Sequence, residues 1–342
     1  MKYIIKILLA AAASASLLSC EREFKLKGLD TQPRVFIEFL PCGDDSSMVK
    51  LLRAYPSQMM IEDQSLNSFV EDVSAAVSIE VDGVPVTAKN DSISLAYVHR
   101  KFNPGETVTV RVDLGDGCIA ESETVIPPAI RDFRFSRINE DVVLDYCADQ
   151  YPEYMAIVPD YIVTLESTNE AGETSTTVRH GGYVLHFDTE RKSDIANDMV
   201  SRLRSLRFGQ SCIYYWKNSD SEKLENGWRR MRFHIFSPYY YVNVYEYDQV
   251  RVEWRVDETT GERVAVTENI HKKETYEHEF HIYGIHEDLY RYMNNQLDMA
   301  DNDYGHQGLA PTVFNWTNVK DGFGIVAGMS YVSSGWFQFE EE

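Results

Sequence analysis

Between Val77 and Ile126 the chain repeats short runs of alternating apolar and polar residues, each cut off by turn residues, and this beat admits strands and little else. Val77-Ser78-Ile79-Glu80-Val81 meets Asp82-Gly83, a pair suited to the two left-handed positions of a type I′ hairpin turn, before Val84-Pro85-Val86. Asn103-Pro104-Gly105-Glu106 turns the chain into the strict alternation of Thr107 to Val112, and Gly115-Asp116-Gly117 turns it again into Cys118 to Ile126. With the strand-like run Val35 to Leu40 in front, this spacing predicts an N-terminal immunoglobulin-like β-sandwich over residues 35–127. Pro127-Pro128 then reads as a stiff junction.

Residues 130–342 predict a larger β-rich domain with one or two short helices, so the fold class is mainly β. Pro159 to Glu166, the Asn169 to Gly172 turn and Thr174 to Arg179 make a hairpin. Arg229 to Phe236 and Tyr240 to Val256 read as strands, the second turning at Thr259-Thr260-Gly261-Glu262 into Arg263 to Ile270. Thr275 to Tyr283 alternates again. Ser193 to Gly209 is one helix candidate, with Ile195, Met199, Leu203 and Leu206 on one face, and Glu287 to Leu297 is the other. Val319 to Val326 closes with a turn into a late strand.

The first twenty residues bear on address. Lys2 and Lys6 precede an apolar stretch, Ile7 to Leu18, too short for the roughly 20 residues of a membrane-spanning helix. Residues 1–19 therefore read as a secretory signal. Its end, Leu17-Leu18-Ser19-Cys20, resembles a bacterial lipobox, in which the cysteine takes palmitate-type acyl chains and becomes the new N-terminus. Residues 20–34 would then be a lipidated tether. Two or three chains hold a protein on a bilayer essentially for good, at about 0.8 kcal/mol per buried CH₂. Glu21 and Glu23 resemble a surface-export signal and are equally an ordinary polar tether.

The formal net charge is −21, and loss of Lys2 and Lys6 with the signal would take it to −23. Such a body repels phosphate backbones, which excludes nucleic acid as a partner, and it offers no polybasic grip on anionic lipid. Besides Cys20, four cysteines remain for an oxidising compartment. Two fall on each side of residue 128, so the pairings expected are Cys42–Cys118 and Cys147–Cys212, the alternative being buried thiols.

Motifs for chemistry are few. His278-Glu279-Phe280-His281 has its histidines three apart on a strand, which points them to opposite faces and argues against a shared metal ion. Asp301-Asn302-Asp303-Tyr304-Gly305 lacks the acid that a calcium loop needs at position 312, where Thr312 stands. Neither a nucleophile elbow, a P-loop nor a dinucleotide fingerprint is present, so no enzyme activity, catalytic residue, cofactor or metal is expected. The remaining candidate is a tyrosine stripe. From Ser237 to Tyr247 the period of two puts Val242 and Val244 on one face and Tyr241, Asn243, Tyr245 and Tyr247 on the other. Such a row either binds a sugar, peptide or protein, or merely covers the outer face of a sheet.

Several passages together carry a resemblance. They are the Cys20 lipobox, Asp113 to Pro127, Glu225-Asn226-Gly227, the Leu289-Tyr290-Arg291-Tyr292 helix, Pro311, Asn315 and the stretch Asn318 to Val326. In that order they resemble the Bacteroidota lipoproteins of domain-of-unknown-function family 4249. His286 stands where such proteins usually cap the helix with a serine-type residue. The resemblance implies an outer-membrane lipoprotein with a β-rich N-terminal domain, often encoded beside TonB-dependent transporters, and it brings no catalytic residue. The expected function is a non-catalytic accessory or ligand-capture component of a TonB-dependent uptake system. It would be lipid-anchored in the outer membrane on a face left open, with a β-barrel transporter as its partner. The alternative is a structural or adhesive surface protein, such as a fimbria-associated subunit.

Overall fold

The computed structural model describes residues 32–56, 66–138, 141–147, 151–182, 185–186, 214–235, 243–256, 263–300 and 316–340. The signal, Cys20, Cys212, Tyr241, the helix candidate 193–209, the turn 259–262, the loop 301–305, Pro311 and Asn315 lie outside them. One unit comprises Met1–Pro33 with Tyr55–Leu66, of which residues 32–33, 55–56 and 66 are described. Every element below belongs to the other, Arg34–Ala54 with Asn67–Glu342.

In chain order its first part runs β1 (Arg34–Phe39), β2 (Ser47–Ala54), a single turn α1 (Val73–Ala76), β3 (Val77–Val81), β4 (Val84–Val86), β5 (Lys89–Ser92), β6 (Leu95–Val98), β7 (Thr107–Asp113) and β8 (Ile119–Val125). There follow β9 (Phe133–Ile138), β10 (Asp141–Tyr146), β11 (Tyr154–Asn169), β12 (Thr174–Gly182), β13 (Leu185–His186), β14 (Tyr214–Lys217), β15 (Glu222–Lys223) and β16 (Arg229–Ile235). The chain closes with β17 (Val244–Val256), β18 (Arg263–Ile285), helix α2 (Glu287–Ala300), β19 (Gly322–Val326) and β20 (Met329–Ser333). The fold is mainly β, as the alternation requires.

Two sheets enclose the first core, in the orders β19-β1-β2-β6-β5 and β4-β3-β7-β8. The alternation of β7 drives Val108, Val110 and Val112 inward against Val35, Ile37 and Leu51 from the other sheet. Each such side chain contributes about 1.5–3 kcal/mol on burial. Asp82 and Gly83 both have positive φ, 51° and 78°, as the type I′ turn demands.

β19 reaches this sheet from the far end of the chain. It pairs parallel with β1, Val35 opposite Gly322 through Phe39 opposite Val326. Gly324 makes the approach, at φ +97°, where a Cβ would lie 1.9 Å from the Ile37 carbonyl oxygen. The parallel track continues past the sheet: the amide of Ala327 donates to the carbonyl of Phe39 (3.1 Å) and that of Met329 to Pro41 (2.8 Å). Here the two segments enter a second core with Leu40, Cys42, Ala327 and Met329. That core also takes Tyr146, Met155, Phe233 and Phe280 from the later strands and Leu289 and Met293 from α2.

Three consequences bear on the expectations. The disulfide Cys42–Cys118 is not formed, because Cys42 is buried in the second core and Cys118 in the first. Cys147 is a half-buried thiol. The junction after Pro127 is fastened as well as stiff, since the Ser330 hydroxyl donates to the Pro128 carbonyl (2.8 Å) and the Gly328 amide to the Thr124 hydroxyl (2.8 Å). The helix α2 begins where predicted, and His286 serves as its cap: its Nδ1 accepts from the Asp288 amide (3.2 Å).

Candidate functional site

The candidate site is built on the two longest strands. β11 and β18 pair antiparallel from Tyr154 opposite Ile285 to Asn169 opposite Ile270. The separate strands expected over 263–270 and 275–283 are thus one strand of 23 residues. Its flanks change along its length. Near the core β14 lies beside β11 and β20 beside β18, whereas further out β12 and β17 take those places. The change follows composition. Tyr154 to Pro159 is a buried run, and Thr164 to Asn169 is polar apart from Leu165, so the outer sheet leaves the core.

On one face of this outer sheet β17 presents Tyr245, Tyr247, Gln249 and Arg251. Opposite them on β18 stand Glu274, Lys272, Ile270 and Glu268. Tyr245 and Tyr247 lie 5.1 Å apart between ring centroids, tilted by 38°. The Tyr247 hydroxyl donates to Glu274 Oε1 (2.9 Å), and Lys272 Nζ sits 5.9 Å from the Tyr247 ring. Asn243, expected in the same row, has a different task. It is buried, its amide NH₂ donates to the Phe339 carbonyl and its Oδ1 accepts from the Phe339 amide (3.1 Å), which fixes the root of β17.

Next to the tyrosines the same face is hollowed into an open groove of about 610 Å³. Gln249 and Arg251 of β17, Glu268, Ile270 and Lys272 of β18, Ser167 and Asn169 of β11 and Glu173, Thr174 and Ser175 about the β11–β12 turn line it. Asn169 shapes that turn: its amide NH₂ donates to Glu173 Oε2 (3.0 Å), and its Oδ1 accepts from the Glu173 amide (2.8 Å). Two cations, Arg251 and Lys272, balance two anions, Glu173 and Glu268, and Ile270 is the one apolar side chain of the lining. The groove therefore suits a polar ligand of little net charge with many hydrogen-bonding groups.

His278 and His281 occupy opposite faces of β18, as their spacing predicts. His278 is fully buried, its ring 4.8 Å from that of Phe339, and burial with the nearby positive charge of Arg137 lowers its pKa to about 4. His281 joins a line that no motif announces: Nε2 meets Asp160 (3.2 Å) and Nδ1 meets the Tyr331 hydroxyl (2.9 Å). Burial pulls the His281 pKa down, but the bond to Asp160 and the charge of Glu279 outweigh it and leave it raised. The three residues come from β11, β18 and β20, so only strand register brings them together.

Over residues 21–334 the chain matches the family described as Domain of unknown function (DUF4249), and it belongs to that family. None of the curated proteins matches it. Among solved structures it aligns with the "Crystal structure of Putative membrane anchored protein from Corynebacterium diphtheriae" at 9% identity, over 73% of this chain and 54% of that one, with a TM-score of 0.15. The chain thus spans about half the length of that protein, and so slight a likeness bears on neither fold nor function.

Proposed function

We propose that this protein is a lipid-anchored binding component of the bacterial outer membrane, serving a TonB-dependent uptake system without catalysing a reaction. Acylation of Cys20 would supply the anchor, and an immunoglobulin-like sandwich of residues 35–127 completed by β19 would carry the body from the 20–34 tether. The outer sheet would capture the ligand. The observation that carries the reading is the polar groove running on from Tyr245 and Tyr247, in a sheet that has left the core. A polar, near-neutral ligand would be held by the amide, hydroxyl and charged side chains that line the groove.

The test begins at the anchor. Cys20→Ala should move the protein from the membrane fraction to the soluble fraction, with mass spectrometry of the wild-type N-terminus finding acyl chains on that sulfur. Wild-type protein purified from solubilised outer membranes should bring a β-barrel transporter with it. Unchanged pelleting of the variant, or recovery without a barrel, would defeat the anchor or the partner respectively.

A further inference from the structure

β17 is an edge strand that carries charge, as edges usually do, but is neither short nor kinked. Among the described residues it pairs with β18 alone, in an unbroken register from Val244 opposite Thr275 to Val256 opposite Arg263. It is 13 residues long and contains neither proline nor bulge. Edge strands of soluble proteins are commonly shortened, kinked or charged to prevent pairing with other chains. Here Val250, Val252, Trp254 and Val256 stand in one row, 57%, 50%, 68% and 60% exposed. Beyond Asn169 opposite Ile270 β11 no longer lies beside β18, so among the described residues β17 and β18 form a two-stranded ribbon at this end, which is marginal in water without support.

The charges on the opposite face indicate what the edge accepts. Arg251, Glu253 and Arg255 alternate in sign on that face, with Glu253 bridging both arginines of its own strand (3.0 and 2.9 Å), and a reversed copy offset by one step sets each of these charges against an opposite or neutral side chain. We propose that β17 is the seat of a homodimer, in which the β17 strands of two copies pair antiparallel about Val252 and continue one sheet into the other. A two-fold axis normal to the sheet keeps each face continuous and pairs residues symmetrically about the centre.

Centred on Val252, the pairing spans 248–256. Arg251 of each copy meets Glu253 of the second, Gln249 meets Arg255, Val250 meets Trp254 on the apolar face, and Asp248 meets Val256 only at the two ends. A centre at Arg251 or Glu253 would set like charges opposite each other. A centre at Val250 would oppose Asp248 to Val252 and Glu246 to Trp254, and one at Trp254 would pair only 252–256 within the strand. The chosen register is the one in which length, apolar contact and charge agree. A second copy is favoured over a lipid surface because alternating charges that suit a strand of the same sequence mean nothing to a bilayer. The pairing also sets two polar grooves on one face of a continuous sheet, with Arg251 at the seam.

A single strand pair is a small interface, so the dimer should be weak, with a Kd on the order of micromolar. Sedimentation equilibrium of the full mature chain should show a concentration-dependent dimer, and Val252→Lys should weaken it at least ~10-fold while leaving the circular dichroism unchanged. Arg251→Glu should weaken it as well, and adding Glu253→Arg to that variant should restore it. Val252→Cys should form a disulfide-linked dimer under mild oxidation, and Val178→Cys on the opposite edge strand β12 should not. A monomer at all accessible concentrations would overturn the proposal, as would a dimer indifferent to Val252→Lys or failure of Val252→Cys to cross-link in folded protein. Binding of monomer to vesicles of phosphatidylethanolamine and phosphatidylglycerol, lost in Val252→Lys, would overturn it in favour of a lipid surface.

Discussion

The two histidines of β18 show how three residues of spacing decide opposite electrostatic fates. His278 faces Phe337 and Phe339 and is held neutral, with its pKa near 4 against about 6.5 in an unfolded chain. Between those values the unfolded chain binds the proton and the folded one does not. The contribution of His278 to stability is therefore complete above about pH 6.5 and lost as the pH falls toward 4, by about 3 kcal/mol in all. His281 acts with the opposite sign. Its raised pKa gives stability that is present below the ordinary histidine range and fades as the pH rises through the folded value. Replacing His278 by phenylalanine leaves the His281 effect in place and removes the other. Denaturant unfolding of His278→Phe at pH 7 and pH 4.5 should show a smaller loss than wild type, by about 2–3 kcal/mol. Equal losses in the two proteins would mean that the imidazole is not held neutral in the fold.

At the scale of elements, β19 matters most, because it closes the first sheet from the opposite end of the sequence. Its fit depends on Gly324, and a methyl group there would meet the Ile37 carbonyl at 1.9 Å in addition to the strain of φ +97°. Gly324→Ala should cost more than about 4 kcal/mol, seen as a collapse of the thermal midpoint or as failure to fold. Gly172 offers the control. It too has a positive φ, 81°, but nothing lies within 4 Å of a Cβ there, so Gly172→Ala should cost about 1–2 kcal/mol of backbone strain alone. Similar costs at both positions would show that the β1–β19 contact is looser than described. The comparison also explains what the sequence could announce. Asp82-Gly83 and Asn169 to Gly172 are local signals, since the turn's own dihedral needs select the residues, and both hairpins form where read. The Asn318 to Val326 stretch reads as a turn and strand but not as the partner of Val35 to Phe39. Parallel pairing across nearly the whole chain leaves no mark within either segment. Only the structure gives Asn318 its role. Its amide NH₂ donates to Asp288 of α2 (2.9 Å) and to the Val326 carbonyl (2.7 Å), tying helix to strand. The tyrosine row was legible for the same local reason as the turns, because period two holds through β17. The groove beside it was not, because its lining is drawn from four strands whose register no single segment encodes.

For the whole molecule, the parallel track of β1 and β19 undoes the simple division at residue 128. The first core contains Val319 and Val326 from the end of the chain, and the second contains Leu40 and Cys42 from its beginning. Neither core can be cut free by a break at the proline junction. A fragment ending at Pro128 would leave β1 without its outer neighbour, baring an edge and part of the core that Val326 covers. Residues 32–128 expressed alone should therefore stay unfolded or aggregate, with neither the sheet signature in circular dichroism nor a cooperative melt. Removing residues 320–342 from the full chain should strip both cores of contacts and abolish cooperative unfolding throughout, not in the C-terminal part alone. The intact chain should melt in one calorimetric transition, since the same pair of segments runs through both cores. A soluble, cooperatively folding 32–128 fragment, or two resolved transitions in the intact protein, would show instead that the proline junction separates independent domains and that β19 merely rests against the first.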